Sequence, residues 1–249
     1  MGVYAGPADW WTDGTDDGRT HIATKGIVQD GIVLNLDANV SSSYPGSGTT
    51  WSDLSGNGRN GVLTNGPTYS NGSLVFDGTD DRVVITNNEL ARIGTGNHTI
   101  TAWVNNDIVT EEDFIGTGTS QGDVLLMIFF RAGGGAGGFR GHAWSSTGNS
   151  NTIDSPIAIG TGNWNMLTQR VTWGGNIDLF ENGVLTKTQV LSGGAPSSSR
   201  TQFVIGSRYN GGAGNHFDGK IANVQVYNRA LTAQEIQQNY NALRGRFGI

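Results

Sequence analysis

The stretch that decides the fold runs Trp164-Asn-Met-Leu-Thr-Gln-Arg-Val-Thr-Trp173, then Gly174-Gly175, then Asn176-Ile-Asp-Leu-Phe-Glu181, then Asn182-Gly183, then Val184-Leu-Thr-Lys-Thr-Gln-Val190. It reads as three β-rich runs separated by two turns. Asn182-Gly183 suits a two-residue hairpin turn, because both central residues there need positive φ. Gly174-Gly175 serves the same purpose with less specificity. A meander of this kind has one apolar face to bury and is unstable alone. The rest of the chain must supply the cover.

Working outward, the chain holds several further strand-like runs. Gly31 to Leu36 is the first, and Ser73 to Phe76 and Arg82 to Thr86 flank Asp77-Gly-Thr-Asp-Asp81. His98 to Val104 alternates, with Ile100, Ala102 and Val104 on one face and Thr101 and Trp103 on the other. Val124 to Phe130 is apolar on both faces, which fits a strand covered on both sides, by a second layer and by a loop or partner chain. Phe203 to Gly206 and Ile221 to Tyr227 complete the set. Tyr44 to Asn65 reads as loop, and Ala132 to Gly138 as a mobile glycine loop. Regular strands with turns between them predict an all-β, antiparallel sandwich.

One helix is expected, at the end. Thr232-Ala-Gln-Glu235 forms a capping box, Leu231 and Ile236 occupy the staple positions, and Ile236, Tyr240 and Leu243 share one face. It should lie on the sandwich as a lid. Residues 1–26 differ from the remainder. They carry Trp10-Trp11 and the acidic glycine loop Asp13-Gly-Thr-Asp-Asp17. They read as an arm preceding a domain at 27–249. Two adjacent tryptophans call for cover, so the arm either folds back on its own domain or docks on a neighbouring subunit, with Trp10 and Trp11 as the partner-binding residues.

Composition narrows the functional classes. The 249 residues include 40 glycines, 5 prolines and no cysteine, with a net charge of −6. Many tight turns follow, without the Gly-X-Y period of collagen. Disulfides and thiolate metal sites are excluded, which suits synthesis in a reducing cytosol. The acidic balance argues against nucleic acid and anionic membranes as partners. No apolar run approaches the length of a membrane span, and the first residues lack the regions of a signal peptide.

The residues also carry a resemblance. Ser73-Leu-Val-Phe-Asp-Gly-Thr-Asp-Asp-Arg-Val-Val-Ile85, His98-Thr-Ile-Thr-Ala-Trp-Val104, the Leu179-Phe-Glu-Asn-Gly183 hairpin and Phe217-Asp-Gly-Lys-Ile221 through Leu231 resemble the concanavalin A-like, laminin G-like jelly rolls. The resemblance covers about residues 28 to 243 and implies a jelly-roll sandwich. It implies no single activity, since lectins, glycosidases and adhesion modules share that fold. A narrower resemblance joins Asp30-Gly-Ile-Val-Leu-Asn-Leu-Asp-Ala38, Tyr44-Pro-Gly-Ser-Gly-Thr-Thr-Trp-Ser-Asp-Leu-Ser-Gly-Asn-Gly58 and Met1-Gly-Val-Tyr-Ala-Gly-Pro7 to structural proteins of tailed bacteriophages, of the cyanophage type. It implies a non-enzymatic virion component, a head decoration or a tail or fibre part. Such a part is made in the host cytoplasm, binds other virion subunits and forms a homo-oligomer or larger assembly. It also has room for a lectin-like face toward host glycan. The alternative reading is a carbohydrate-binding module.

Three site chemistries are open to these residues. The pentapeptide Asp-Gly-Thr-Asp-Asp occurs at 13–17 and 77–81, and clustered carboxylates on glycine turns offer oxygens to a hard cation. The resemblance implies a structural calcium at the sandwich rim, with Asp37, Asp53, Asn57, Asp77, Asp80 and Asp81 as candidates. The plainer reading is that Asp-Gly and Asn-Gly simply make turns. Sugar binding would use Tyr44, Trp51, Trp144 and Tyr209 as stacking rings, against the plainer reading that such rings pack under loops. Hydrolysis would need two opposed carboxylates. Asn176-Ile-Asp-Leu-Phe-Glu181 has the spacing of the laminarinase-type motif, but an amide occupies the nucleophile position, and Asp178 and Glu181 are expected to face solvent and a turn. No catalytic residue is assigned.

Overall fold

The computed structural model describes residues 26–108, 112–117, 126–130, 138–148, 150–209 and 216–249. The arm with Trp10, Trp11 and the first acidic pentapeptide lies outside them, as do residues 124–125 and 132–137.

Among the described residues sixteen strands form two antiparallel sheets. In chain order they are β1 (Ile32–Asp37), β2 (Thr50–Trp51), β3 (Gly61–Thr64), β4 (Thr68–Ser70), β5 (Ser73–Asp77), β6 (Arg82–Thr86), β7 (His98–Asn106) and β8 (Glu112–Thr117). There follow β9 (Leu126–Phe130), β10 (Phe139–Trp144), β11 (Ser150–Asp154), β12 (Asn165–Val171), β13 (Asn176–Glu181), β14 (Val184–Val190), β15 (Gln202–Ile205) and β16 (Asp218–Tyr227). The first sheet runs β14-β13-β12-β7-β16-β5-β4, with β1 also on β16. The second runs β11-β10-β9-β8-β15-β6-β3-β2.

The deciding meander is present as β12, β13 and β14. Asn182 and Gly183 take φ of 51° and 83°, the paired left-handed geometry that a two-residue hairpin demands. The other turn differs from its reading. Residues 172–175 make a four-residue connection in which the Gly175 amide donates to the Thr172 carbonyl and Gly174 has φ 79°. The stretch 44–65, read as loop, contains β2 and β3. They are too short to show a period, yet Trp51 is fully buried while Val62 points outward. Strands β4, β8, β10 and β11 likewise escape the pattern.

Alternation along the strands builds two cores among the described residues. Between the sheets lie Leu34, Trp51, Phe76, Ile100, Val104, Phe114, Phe139, Leu179 and Phe203. On the other face of the first sheet, Trp103, Met166, Phe180 and Tyr227 meet Leu231 and Ile236 beneath the helix. A short helix, α1 (Asn88–Ala91), caps one connection. The terminal helix, α2 (Ala233–Leu243), starts with the expected box: the Glu235 amide donates to Thr232 Oγ1 (3.2 Å) and the Thr232 amide donates to Glu235 Oε2 (2.8 Å). The helix also fixes the point where the chain enters the domain. The Val28 amide donates to Asn239 Oδ1 at 2.8 Å, and the Tyr227 hydroxyl donates to the Val28 carbonyl at 3.1 Å.

Candidate functional site

Among the described residues two places gather chemistry-bearing side chains. The first is an acidic rim at the end of β5. Strands β5 and β16 pair so that Asp77 faces Asp218. The turn after β5 needs Gly78 in the left-handed region (φ 71°) and folds Asp80 and Asp81 back toward Asp77. Carboxylate oxygens of Asp77, Asp80 and Asp81 all lie within 4.8 Å of one another. Asn65 of the preceding turn donates to Asp80 Oδ2 at 2.8 Å, and the Asp77 amide donates to Asp81 Oδ2 at 3.1 Å. Asp218 adds another acid, and its backbone amide donates to Glu112 Oε2 at 3.2 Å.

The crowding is visible in the acidities. Burial, then the charges of Asp77 and Asp80, holds the Asp81 carboxyl above its usual range. Burial, then Asp107 and Asp77, does the same to Asp218. Asp77 is pulled the other way, chiefly by the Thr79 amide that donates to it. Several hard oxygens on one turn, mutually repelling, fit a divalent cation of the calcium type.

Only half of the sequence-predicted cation residues come together here. Asp37 pairs with Arg246 at 2.8 Å. Its strand partner is Asn223, five positions along β16 from Asp218, or about 16 Å away at strand rise. Asp53 is saturated. It accepts from the amides of Asn35 (3.0 Å), Ser55 (2.9 Å) and Arg59 (3.0 Å) and from Ser55 Oγ (2.8 Å), and four donors fill a carboxylate's four acceptor positions. Asn57 bonds Ser55 Oγ at 2.9 Å in the same knot. These three residues are corrected from cation ligands to loop ties.

The second place is the outer face of the second sheet at β10 and β11. Gly141 and Ala143 of β10 point inward. A Cβ on Gly141 would stand 2.5 Å from Gln169 Oε1, and Ala143 is in the core. Arg140, His142 and Trp144 therefore form the outward row. Their β11 partners are Asp154, Thr152 and Ser150 respectively. Arg140 forms a two-pronged pair with Asp154. His142 Nδ1 lies 3.0 Å from Thr152 Oγ1 and its Nε2 3.3 Å from Ser150 Oγ. The edge of Trp144 meets the imidazole with ring centroids 5.0 Å apart. Arg208 crosses the same sheet above Gly116 and pairs with Asp113 at 2.9 Å. Burial, then the charges of Arg140 and Arg208, brings the His142 pKa down to about 4, so the ring is neutral at pH 7.

Of the four stacking candidates, Trp144 alone keeps partial exposure. Trp51 is wholly in the core, and Tyr44 and Tyr209 are buried. The Tyr44 hydroxyl donates to the Gly48 carbonyl at 2.9 Å. Those three are structural rings, corrected from ligand-binding ones. Sequence reading missed His142 and Thr152. The signal was present as alternation in Arg140-Gly-His-Ala-Trp144, but the run is short and glycine-interrupted.

The acidic motif of β13 offers no opposed pair. Asp178 and Glu181 are both buried, contrary to the expectation of a solvent-facing and a turn residue. Asp178 takes Arg170 Nη2 at 2.8 Å and Thr188 Oγ1 at 2.7 Å. Glu181, three residues on and so on the other face of the strand, accepts from Ser155 Oγ, and burial raises its pKa.

The stacked antiparallel sheets, the acidic rim turn and the helix laid across one face define a lectin-like jelly roll. Residues 77–237 match the family model described as the concanavalin A-like lectin/glucanases superfamily (Laminin_G_3), and the chain belongs to that family. Its fold is similar to the binding domain of Paraclostridial Mosquitocidal Protein 1, with TM-score 0.66 and 17% identity over 86% of this chain and 52% of that one. A Trypanosoma rangeli sialidase in complex with sialic acid matches with TM-score 0.64 and 16% identity, over 87% of this chain and 33% of the sialidase. Domain 4 of AbnA, a GH43 extracellular arabinanase from Geobacillus stearothermophilus in complex with arabinotriose, matches with TM-score 0.62 and 18% identity, over 84% of this chain and 98% of that domain. The chain thus spans about half the length of the toxin domain and a third of the sialidase.

Proposed function

We propose that this domain is a non-catalytic glycan-recognition module, with Trp144 as its stacking ring and the rim acids Asp77, Asp80 and Asp81 as holders of a structural calcium ion. One observation carries the reading. Of the aromatic candidates, Trp144 alone is left partly open, and it stands in a row of groups able to bond hydroxyls. A ring flanked by such groups matches how sugars are held, with an apolar face stacked and hydroxyls read at the edge. The likeness to an arabinanase domain in complex with arabinotriose supports it. The buried, separated Asp178 and Glu181 support a binding role over hydrolysis. Titration of the full chain with immobilised and soluble polysaccharides tests it. Retention that Trp144→Ala abolishes is expected, and no retention on any glycan would overturn it.

The setting we propose is a virion. The resemblance of residues 1–7, 30–38 and 44–58 to tailed-phage structural proteins favours it, with the 1–26 arm, including Trp10 and Trp11, binding other virion subunits. The carrier would be assembled in the host cytoplasm and present the Trp144 face to host glycan. Mass spectrometry of purified particles should find the chain at a fixed copy number, and deletion of residues 1–26 should remove it from particles while leaving glycan binding intact. Unaltered incorporation after that deletion would defeat the anchor role.

A further inference from the structure

We infer that the glycan taken at the Trp144 face is a neutral oligosaccharide and that sugars bearing carboxylates are rejected there. The inference rests on the glycan reading above and adds the chemical class. Recognition of a sugar carboxylate calls for a guanidinium or ammonium able to turn both donors toward it. Among the described residues two guanidiniums stand at this face, and each is committed to a protein carboxylate. Arg140 holds Asp154 through two nitrogens, with Nη2 to Oδ2 at 2.8 Å. Arg208 holds Asp113 at 2.9 Å, and Asp113 is itself fully buried, so withdrawing its partner would strand a charge inside the protein.

The remaining basic group among the described residues of the face is His142. It sits between the two hydroxyls of Thr152 and Ser150 and carries no charge at neutral pH, because burial and its two arginine neighbours oppose protonation. What the described residues of the face present is an indole, two hydroxyls and two internally neutralised ion pairs. That set reads hydroxyl groups. The row from Arg140 to Trp144 extends about 13 Å at strand rise, long enough for more than one sugar ring. The chain as a whole is acidic, at −6, and repels anionic polymers at long range.

The test is calorimetric titration of the full chain with two panels: neutral linear fragments (glucan, mannan, galactan and arabinan) and acidic ones (oligogalacturonate and sialyllactose). Binding confined to the neutral panel is expected. Trp144→Ala should weaken it about tenfold or more, and Trp144→Phe should recover part of the loss, with melting temperatures checking that each variant folds. Asp154→Asn should release Arg140 and raise the acidic-to-neutral affinity ratio by about tenfold. An acidic fragment that binds the unmodified chain as tightly as the neutral ones, and is lost in Trp144→Ala, overturns neutral selection while leaving the glycan site standing. Absence of binding in both panels, or binding indifferent to Trp144→Ala, overturns the glycan site and this inference with it.

Discussion

The ring of Phe247 lies on the indole of Trp103, with centroids 4.2 Å apart and planes 19° from parallel. Trp103 belongs to β7, in the middle of the first sheet, and Phe247 ends the short 3-10 turn Arg244–Phe247 after α2. Trp164 touches the same phenyl ring at 4.7 Å, Tyr240 stacks on the indole at 5.7 Å, and Arg246 ties the turn to Asp37. The tail is thus part of the second core. Phe247→Ala uncovers Trp103 and should cost about 2 kcal/mol, below the full cost of a buried phenyl because Phe247 is half-exposed. A lower urea midpoint together with a red shift of tryptophan emission is the expected result.

Stability should fall on mild acidification, and two histidines set the sign. His98 is fully buried, donates from Nδ1 to the Gly96 carbonyl at 2.8 Å, and has its pKa brought down by burial to about 4. His142 is lowered likewise. Their folded values lie below the unfolded value of about 6.5, so the unfolded chain binds more protons in that window. Their contribution is complete above pH 6.5 and is lost as pH falls toward 4, at about 1.4 kcal/mol per pH unit per histidine. Thermal unfolding from pH 7 to 4.5 measures the slope, and His98→Gln should remove about half of it.

Much of this fold is legible in the residues, and the illegible parts share a cause. A run of six with clear alternation, such as Thr99–Val104, declares its faces, and Asn182-Gly183 declares its turn. Strands of two to four residues, such as Thr50–Trp51, are held by pairing to another strand and are too short to carry a local period. The cation residues divide the same way. Asp77, Asp80 and Asp81 meet because one turn brings them together. Asp37 and Asp53 join them only through the family resemblance, and tertiary pairing reveals that Arg246 and the Ser55 knot have taken them. Asp178 reads as solvent-facing because α2, which covers that side of the sheet, lies more than fifty residues downstream.

Gly116 carries a close approach that tolerates no side chain. A Cβ there would stand 1.9 Å from the Arg208 carbonyl oxygen, a backbone atom that cannot swing aside. Gly116→Ala should displace the Arg208 segment, separate it from Asp113 and cost about 3 kcal/mol. Gly96→Ala is the control. It has open space and a φ of −131°, so its melting temperature should stay unchanged or rise slightly. Equal melting of the two variants would refute the contact.

The acidic rim gives the last prediction, with a sign opposite to that of the histidines. The folded-state values of Asp81 and Asp218 are raised, so the chain without an ion gains stability as these groups protonate and loses it as pH rises through their folded values. A calcium ion on Asp77, Asp80 and Asp81 would remove that loss by neutralising the repulsion that causes it. At about one hundred times its dissociation constant it should add about 2.7 kcal/mol. Differential scanning fluorimetry on chelator-stripped protein at pH 7.5 should show a calcium-dependent rise in melting temperature. Asp81→Asn, which keeps an oxygen to accept the Asp77 amide but drops one charge, should melt no lower than the parent without calcium and should respond weakly to its addition. A parent melting temperature unmoved by calcium would mean that the acids serve the turn alone.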